Sequence, residues 1–128
     1  MNALNALRQY QRNGTELQVQ QASPHRLIQM LMEGGLSRLA EARGALIRGD
    51  MAQKGEALGK AIAIISGLRE GLNLKAGGKL ATNLASLYDY MTRRLLKASR
   101  EDAQSLEAAL LEASGLLSRI KSAWDAIG

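Results

Sequence analysis

His25 is the only histidine of the chain, and histidine is the side chain best suited to move protons or hold a transition metal near neutral pH. A metal centre in a helical protein would pair Glu-x-x-His runs on facing helices, and the sequence has none. His25 therefore reads as a solvated residue in the first turn of a helix. Two stretches imitate a phosphate-binding loop. Gly55-Glu56-Ala57-Leu58-Gly59-Lys60-Ala61 is one residue short and ends in alanine where a metal-binding hydroxyl belongs. Asn73 to Leu80, with Gly77-Gly78-Lys79 inside it, lacks the first glycine and the hydroxyl. Neither follows a strand, so neither builds the strand–loop–helix cradle. Glu101-Asp102 sit at a helix start, where negative charge complements the dipole. With no cysteine there is no thiolate nucleophile, disulfide or thiolate metal site. No catalytic, cofactor or metal residues are expected, and the chain does not read as an enzyme.

The cations allow a second kind of chemistry. Arg93, Lys97 and Arg100 share one helix face, with Arg94 beside them, and the chain carries a net charge of +5. A nucleic-acid reader would interleave such a patch with aromatic rings, but Tyr88 and Tyr90 lie a turn or more away. Cations near a helix C-terminus are favourable anyway, by about 0.3–1 kcal/mol each. The patch is a solvated face or, alternatively, the contact of a small basic nucleic-acid-binding regulator.

The elements that carry these residues are helices. In 128 residues, 46% hydrophobic and 23% charged, only 3% are aromatic and none is phenylalanine. Sheets lean on aromatic and β-branched residues, whereas this chain is rich in Ala, Leu, Gln, Glu, Lys and Arg. Ser23-Pro24 opens the first helix, with serine as cap and proline at a position where its missing N–H costs nothing. Leu31, Gly35, Leu39, Ala42 and Leu46 then recur at three or four residues up to Gly49. Asp50 caps a second helix with the stripe Met51, Leu58, Ile62, Ile65, Leu68 and Leu72. A third carries Leu80, Leu84, Leu87, Met91 and Leu95, and Ser99 caps a fourth with the seam Leu106, Leu110, Ala113, Leu117, Ile120, Trp124 and Ile127. Short links force neighbours antiparallel. The expectation is an all-α, antiparallel four-helix bundle over 23–128, with helices at about 24–48, 51–72, 79–98 and 100–127 and an N-terminal arm over 1–22.

No apolar run approaches the roughly 18 residues of a membrane span, and the N-terminus lacks the order of a signal peptide. A soluble cytosolic protein without membrane insertion is expected. Two features suggest a binding surface. Gly55, Gly59, Ala63, Gly67 and Gly71 follow one another at intervals of four on the second helix. Such a ridge admits another backbone closely, either within the bundle or as a helix-docking groove for a partner. The second feature is apolar surplus off the main stripes: Met30, Met32, Leu36, Ile47, Ile64, Tyr88, Leu111 and Leu116. Wide apolar faces imply a large core or an exposed groove for amphipathic segments.

The run Ala22-Ser23-Pro24-His25-Arg26-Leu27-Ile28-Gln29-Met30-Leu31 resembles the helix-one signature of the flagellar secretion chaperones, the FliS family. So do Gly77-Gly78-Lys79-Leu80-Ala81-Thr82-Asn83-Leu84, Leu87-Tyr88-Asp89-Tyr90-Met91 and Arg94-Leu95. Lys54 to Leu58 and Trp124 fit as well, and the resemblance runs from Tyr10 to Trp124. It implies a non-enzymatic cytosolic bundle that binds the disordered C-terminal region of flagellin. Such a chaperone prevents premature polymerisation and presents its client to the flagellar export gate of the type III apparatus.

Carried over residue by residue, Tyr10 matches the family's N-terminal tyrosine, and Asn83, Leu84, Leu87 and Tyr88 match a motif bordering the client groove. Ile64, Leu68 and Leu111 are added from their positions on helices two and four. Met32 stands where the family usually has an aromatic, so a ring contact is lost there, and Lys75 and Lys79 make the Gly77-Gly78 loop more basic than usual. The rivals are the nucleic-acid regulator and an adaptor whose apolar surplus is a homodimer interface. The free chaperone is expected to be a monomer or weak homodimer.

Overall fold

A computed structural model describes residues 21–127. Four helices follow one another: α1 (Pro24–Arg48), α2 (Met51–Glu70), α3 (Leu74–Ser99) and α4 (Ala103–Ala126). There is no strand among the described residues, and the all-α four-helix bundle stands. The packing is a ring. α1 lies most extensively on α2 and then on α4, and α3 closes the ring against α2 and α4 with thinner contacts. Tyr10 and the rest of the expected arm up to residue 20 lie outside the described residues.

The ends of the helices follow from local chemistry. Ser23 accepts a hydrogen bond from the Arg26 N–H at 3.1 Å, with Pro24 in the first turn. Gly49 ends α1 at φ 76°, a left-handed position that glycine takes without a side-chain clash. Asp50 then accepts from the Gln53 N–H at 3.1 Å and starts α2.

Two boundaries differ from the sequence expectation. Asn73, directly after the expected end of α2 at 72, caps α3, accepting from the Ala76 N–H at 3.0 Å. A helical turn therefore precedes the expected start at 79, and Gly78 bends the helix behind it with φ 56° and ψ −134°. Ser99 does not cap α4. Its hydroxyl donates back to the Leu96 carbonyl at 2.7 Å, and Asp102 is the cap, accepting from the Ser105 N–H at 2.7 Å. That bond holds the Asp102 carboxyl below its ordinary range. At the start of α4 two candidate caps, Ser99 and Asp102, stand a few residues apart, and spacing alone does not rank them.

The core is almost wholly aliphatic, with Leu31, Leu39, Ile65, Met91, Leu95, Leu110 and Leu117 fully enclosed. Gly35 lets α1 approach its neighbours: a Cβ there would stand 3.0 Å from Leu117 of α4 and 3.4 Å from Ile64 of α2. Ion pairs cross three of the seams. Arg43 meets Glu107 at 3.1 Å, Arg69 meets Asp89 at 3.2 Å, and Arg94 meets Glu112 at 3.1 Å. The α1–α4 seam also holds Glu33 and Lys121 at 3.8 Å. Such exposed pairs set register more than stability, at about 0.2–1 kcal/mol each.

His25 is not simply solvated. Its ring stacks on Trp124, with centroids 4.8 Å apart and planes 12° from parallel. The Trp124 indole N–H donates to the His25 carbonyl at 3.0 Å. Gln29, donating to Asp125 at 2.8 Å, and Lys121, bonded to Asp125 at 2.7 Å, complete this junction of α1 and α4.

Candidate functional site

Much of the apolar surplus is core. Met30, Met32, Ile64, Leu68 and Tyr88 are all buried, so in the free protein none offers its side chain to a partner. The reason is geometric. In a ring of four, each helix touches two neighbours, so its apolar face is wider than a single stripe. The reverse error occurs at helix ends. Met51, Leu80 and Ile127 belong to the sequence stripes, yet all three are exposed.

Tyr90 and Arg94 show which side of α3 looks toward α4, because both bond the Glu112 carboxylate, the hydroxyl at 2.8 Å and the guanidinium at 3.1 Å. The acceptor pushes the Tyr90 hydroxyl up from its ordinary titration range. At about 100° per residue, Leu87, Asn83 and Leu80 fall on that same side of α3, with Leu84 deeper toward the core. Leu80 is 69% exposed, Asn83 is exposed, and Leu84 and Leu87 are half-buried. By the same count, the side of α4 that carries Glu112 also carries Leu116, Ile120 and Ile127. Leu116 and Ile120 are half-buried and Ile127 is 73% exposed.

These side chains border the α3–α4 seam, which is among the most thinly packed of the ring. An apolar strip thus runs along the seam from Leu87 and Leu116 toward the end of the bundle that holds Trp124. It can offer dispersion contact and a few amide hydrogen bonds from Asn83, and no acid–base chemistry. No cluster of three metal-binding side chains occurs among the described residues.

Only part of the expected site lies on this strip. Asn83, Leu84 and Leu87 come together there, with Tyr88 buried behind them. Leu111 is 50% exposed but sits on the opposite flank of α4 from Glu112, so it does not join them. Leu80, Leu116 and Ile127 were missed as site residues. For Leu80 and Ile127 the available signal was position, since stripe residues within a turn or two of a helix end have fewer neighbours to cover them; Leu116 showed only as apolar surplus off the stripe.

The glycine ridge points mostly outward. Gly55, Gly59, Ala63 and Gly71 are exposed and only Gly67 is buried. A Cβ added at Gly55 or Gly59 would meet nothing within 4 Å. Internal bundle packing does not account for those two glycines. The ridge does not keep to one flank: at about 100° per residue it winds round α2, from Gly55 on the side of Arg69, which reaches α3, to Gly67 on the side of Ile64, which faces α1.

Comparison with known proteins agrees with this architecture. The family described as "Flagellar protein FliS" matches residues 6–128. The flagellar secretion chaperone FliSB of Pseudomonas aeruginosa is 53% identical over 127 residues, covering 99% of this chain and 98% of that one. The flagellar secretion chaperone FliS of Salmonella typhimurium is 50% identical over 129 residues, covering 99% and 93%. That of Vibrio cholerae is 38% identical over 122 residues, covering 95% and 88%. A four-helix bundle bordered by an apolar strip thus comes with similarity to one family over nearly its whole length: the chain belongs to the FliS family of flagellar secretion chaperones.

Proposed function

We propose that this protein is a cytosolic flagellin-specific export chaperone. It binds the disordered C-terminal region of flagellin, keeps it from polymerising, and delivers it to the flagellar type III export apparatus. The observation that carries the reading is the apolar strip of Leu80, Leu84 and Leu87 along the α3–α4 seam, taken with membership of the family. An amphipathic tail in the cytosol would bury its apolar face against another flagellin, and the strip offers that face a substitute partner. Each leucine fully removed from water contributes about 1.5–3 kcal/mol. Part of that gain is offset by the cost of ordering the tail, which leaves the complex releasable at the export gate. Asn83 can hydrogen-bond the backbone of a segment lying over the strip. Tyr10 and the helix-docking ridge of Gly55, Gly59 and Ala63 are proposed as further client contacts.

Calorimetry against a peptide from the C-terminal region of the flagellin encoded with this chaperone tests the proposal. Binding near one to one is expected, changing little between about 50 and 200 mM salt, where a phosphate-driven nucleic-acid complex would lose orders of magnitude. Leu80→Ser with Leu87→Ser should weaken it about tenfold or more while circular dichroism and melting stay close to wild type. Absence of binding at tens of micromolar would sink the proposal.

A further inference from the structure

The end of α3 carries Arg93, Arg94 and Lys97, and Arg100 caps it, with no acidic residue between them. Arg94 is neutralised by Glu112 across the α4 seam, and the same carboxylate holds the Tyr90 hydroxyl. Arg93, Lys97 and Arg100 are exposed, and none of their side chains has a hydrogen-bonding or ion-pair partner among the described residues. Steps of four and three place these three cations on one outward face, over about 10 Å of helix. They line, with Tyr90, Arg94 and Leu96, a shallow depression of about 640 Å³. Leu96 is 40% exposed and Tyr90 37%, so apolar surface lies among the charges.

The site is incomplete in the free protein. Three like charges within two turns repel one another, and the nearest carboxylates pair with none of them: Asp89, one turn before Arg93, is held by Arg69, and Glu101 and Asp102 follow at the start of the link to α4. A binder must bring negative charge at a spacing of four and three residues, and apolar side chains beside it. A helix with glutamates or aspartates at i, i+4 and i+7 has that spacing when it lies along α3, and its intervening leucines or methionines meet Leu96 and the Tyr90 ring. The two guanidinium groups suit carboxylates well, since each can donate two parallel hydrogen bonds.

Other anionic partners fit less well. Three free cations would engage only about three phosphates, giving a weak complex with a shallow salt slope. The ring beside them is tied by its hydroxyl to Glu112, leaving no free aromatic platform for bases. An anionic membrane gains only about 1 kcal/mol per cation, and this surface has no apolar projection to insert.

We propose that the outward face of α3 from Tyr90 to Arg100 is a second docking site, and that its occupant is an acidic amphipathic helix of a partner protein. Its cations lie on the C-terminal half of α3, beyond Leu80, Asn83 and Leu87, so client and acidic partner can be held side by side, meeting only where Tyr90 neighbours Leu87. It does not depend on the identity of the client.

The test uses the full chain and a fluorescein-labelled helical peptide of about 18 residues, with glutamates at i, i+4 and i+7 and leucines between them. Saturable binding is expected. It should fall about tenfold or more when glutamine replaces glutamate, and equally in the variant Arg93→Glu, Lys97→Glu, Arg100→Glu. A peptide with lysine in place of glutamate should bind the triple variant better than the wild type. The variant should keep its helical signal and its binding of the flagellin peptide, because the three side chains make no hydrogen bond or ion pair in the fold, with a melting temperature lowered only by the loss of positive charge at the helix C-terminus. Acidic-peptide binding that survives the triple substitution overturns the proposal. So does oligothymidine, or vesicles containing phosphatidylserine, binding more tightly than the peptide and losing that binding in the variant.

Discussion

Tyr88 shows how one side chain couples packing to solution conditions. Burial pushes its hydroxyl up to about 12, from an ordinary value near 10. The unfolded chain therefore releases this proton first as the solution becomes alkaline. Its contribution to stability is complete below about pH 10 and is lost as pH rises toward about 12, at up to about 1.4 kcal/mol per pH unit. Urea unfolding at stepped alkaline pH should show Tyr88→Phe losing less stability than wild type over that window. Equal losses would mean that the buried hydroxyl is not what titrates. The family resemblance marked Tyr88 as a groove residue, while its sequence position did not mark it as core. A tyrosine two residues from the exposed Tyr90 differs from it only in helical phase, and that phase is fixed by the Arg94–Glu112 side of the seam. Residue types were legible from the sequence, but the flank each residue occupies needed the partner helix.

At the scale of the element, α2 and α3 place glycine for opposite reasons. Gly78 sits at φ 56° and ψ −134°, a conformation open almost only to glycine, and a Cβ on Gly77 would stand 2.6 Å from that of Ala81. Gly78→Ala should cost about 1–3 kcal/mol in urea unfolding. Asn73→Ala, which removes the cap of the same helix, should cost about 1 kcal/mol. Gly59 on α2 has open space around it, so Gly59→Ala should instead raise stability by about 0.8–1 kcal/mol. If stability rises while flagellin-peptide affinity falls, the glycine serves binding; if both are unimpaired, it serves neither. The four helices and three of their ends, at Ser23, Gly49 and Asp50, were legible because each cap was unambiguous in sequence. The bend at Gly78 was not, because a Gly-Gly pair reads equally as a loop and as a kink.

Across the whole molecule, the ring arrangement explains which parts of the candidate site could be foreseen. Apolar periodicity gave the number of helices, and the short links between them their antiparallel order. It did not show that α3 is held more thinly than α1, which is why Leu80 was assigned to the core and the α3–α4 strip was incomplete in the reading. The junction of Trp124 and His25 has a further consequence, for the order in which the molecule is made. Its hydrogen bond joins residues 99 apart in sequence, whereas the α1–α2 contact joins neighbours across a two-residue link. Closing so long a loop costs more chain entropy, so local hairpins gain their contacts at lower cost than the α1–α4 closure. Trp124→Phe should therefore accelerate unfolding and leave the refolding rate nearly unchanged when both are followed by circular dichroism. The opposite partition would place the meeting of the two chain ends at the nucleus of folding rather than at its completion.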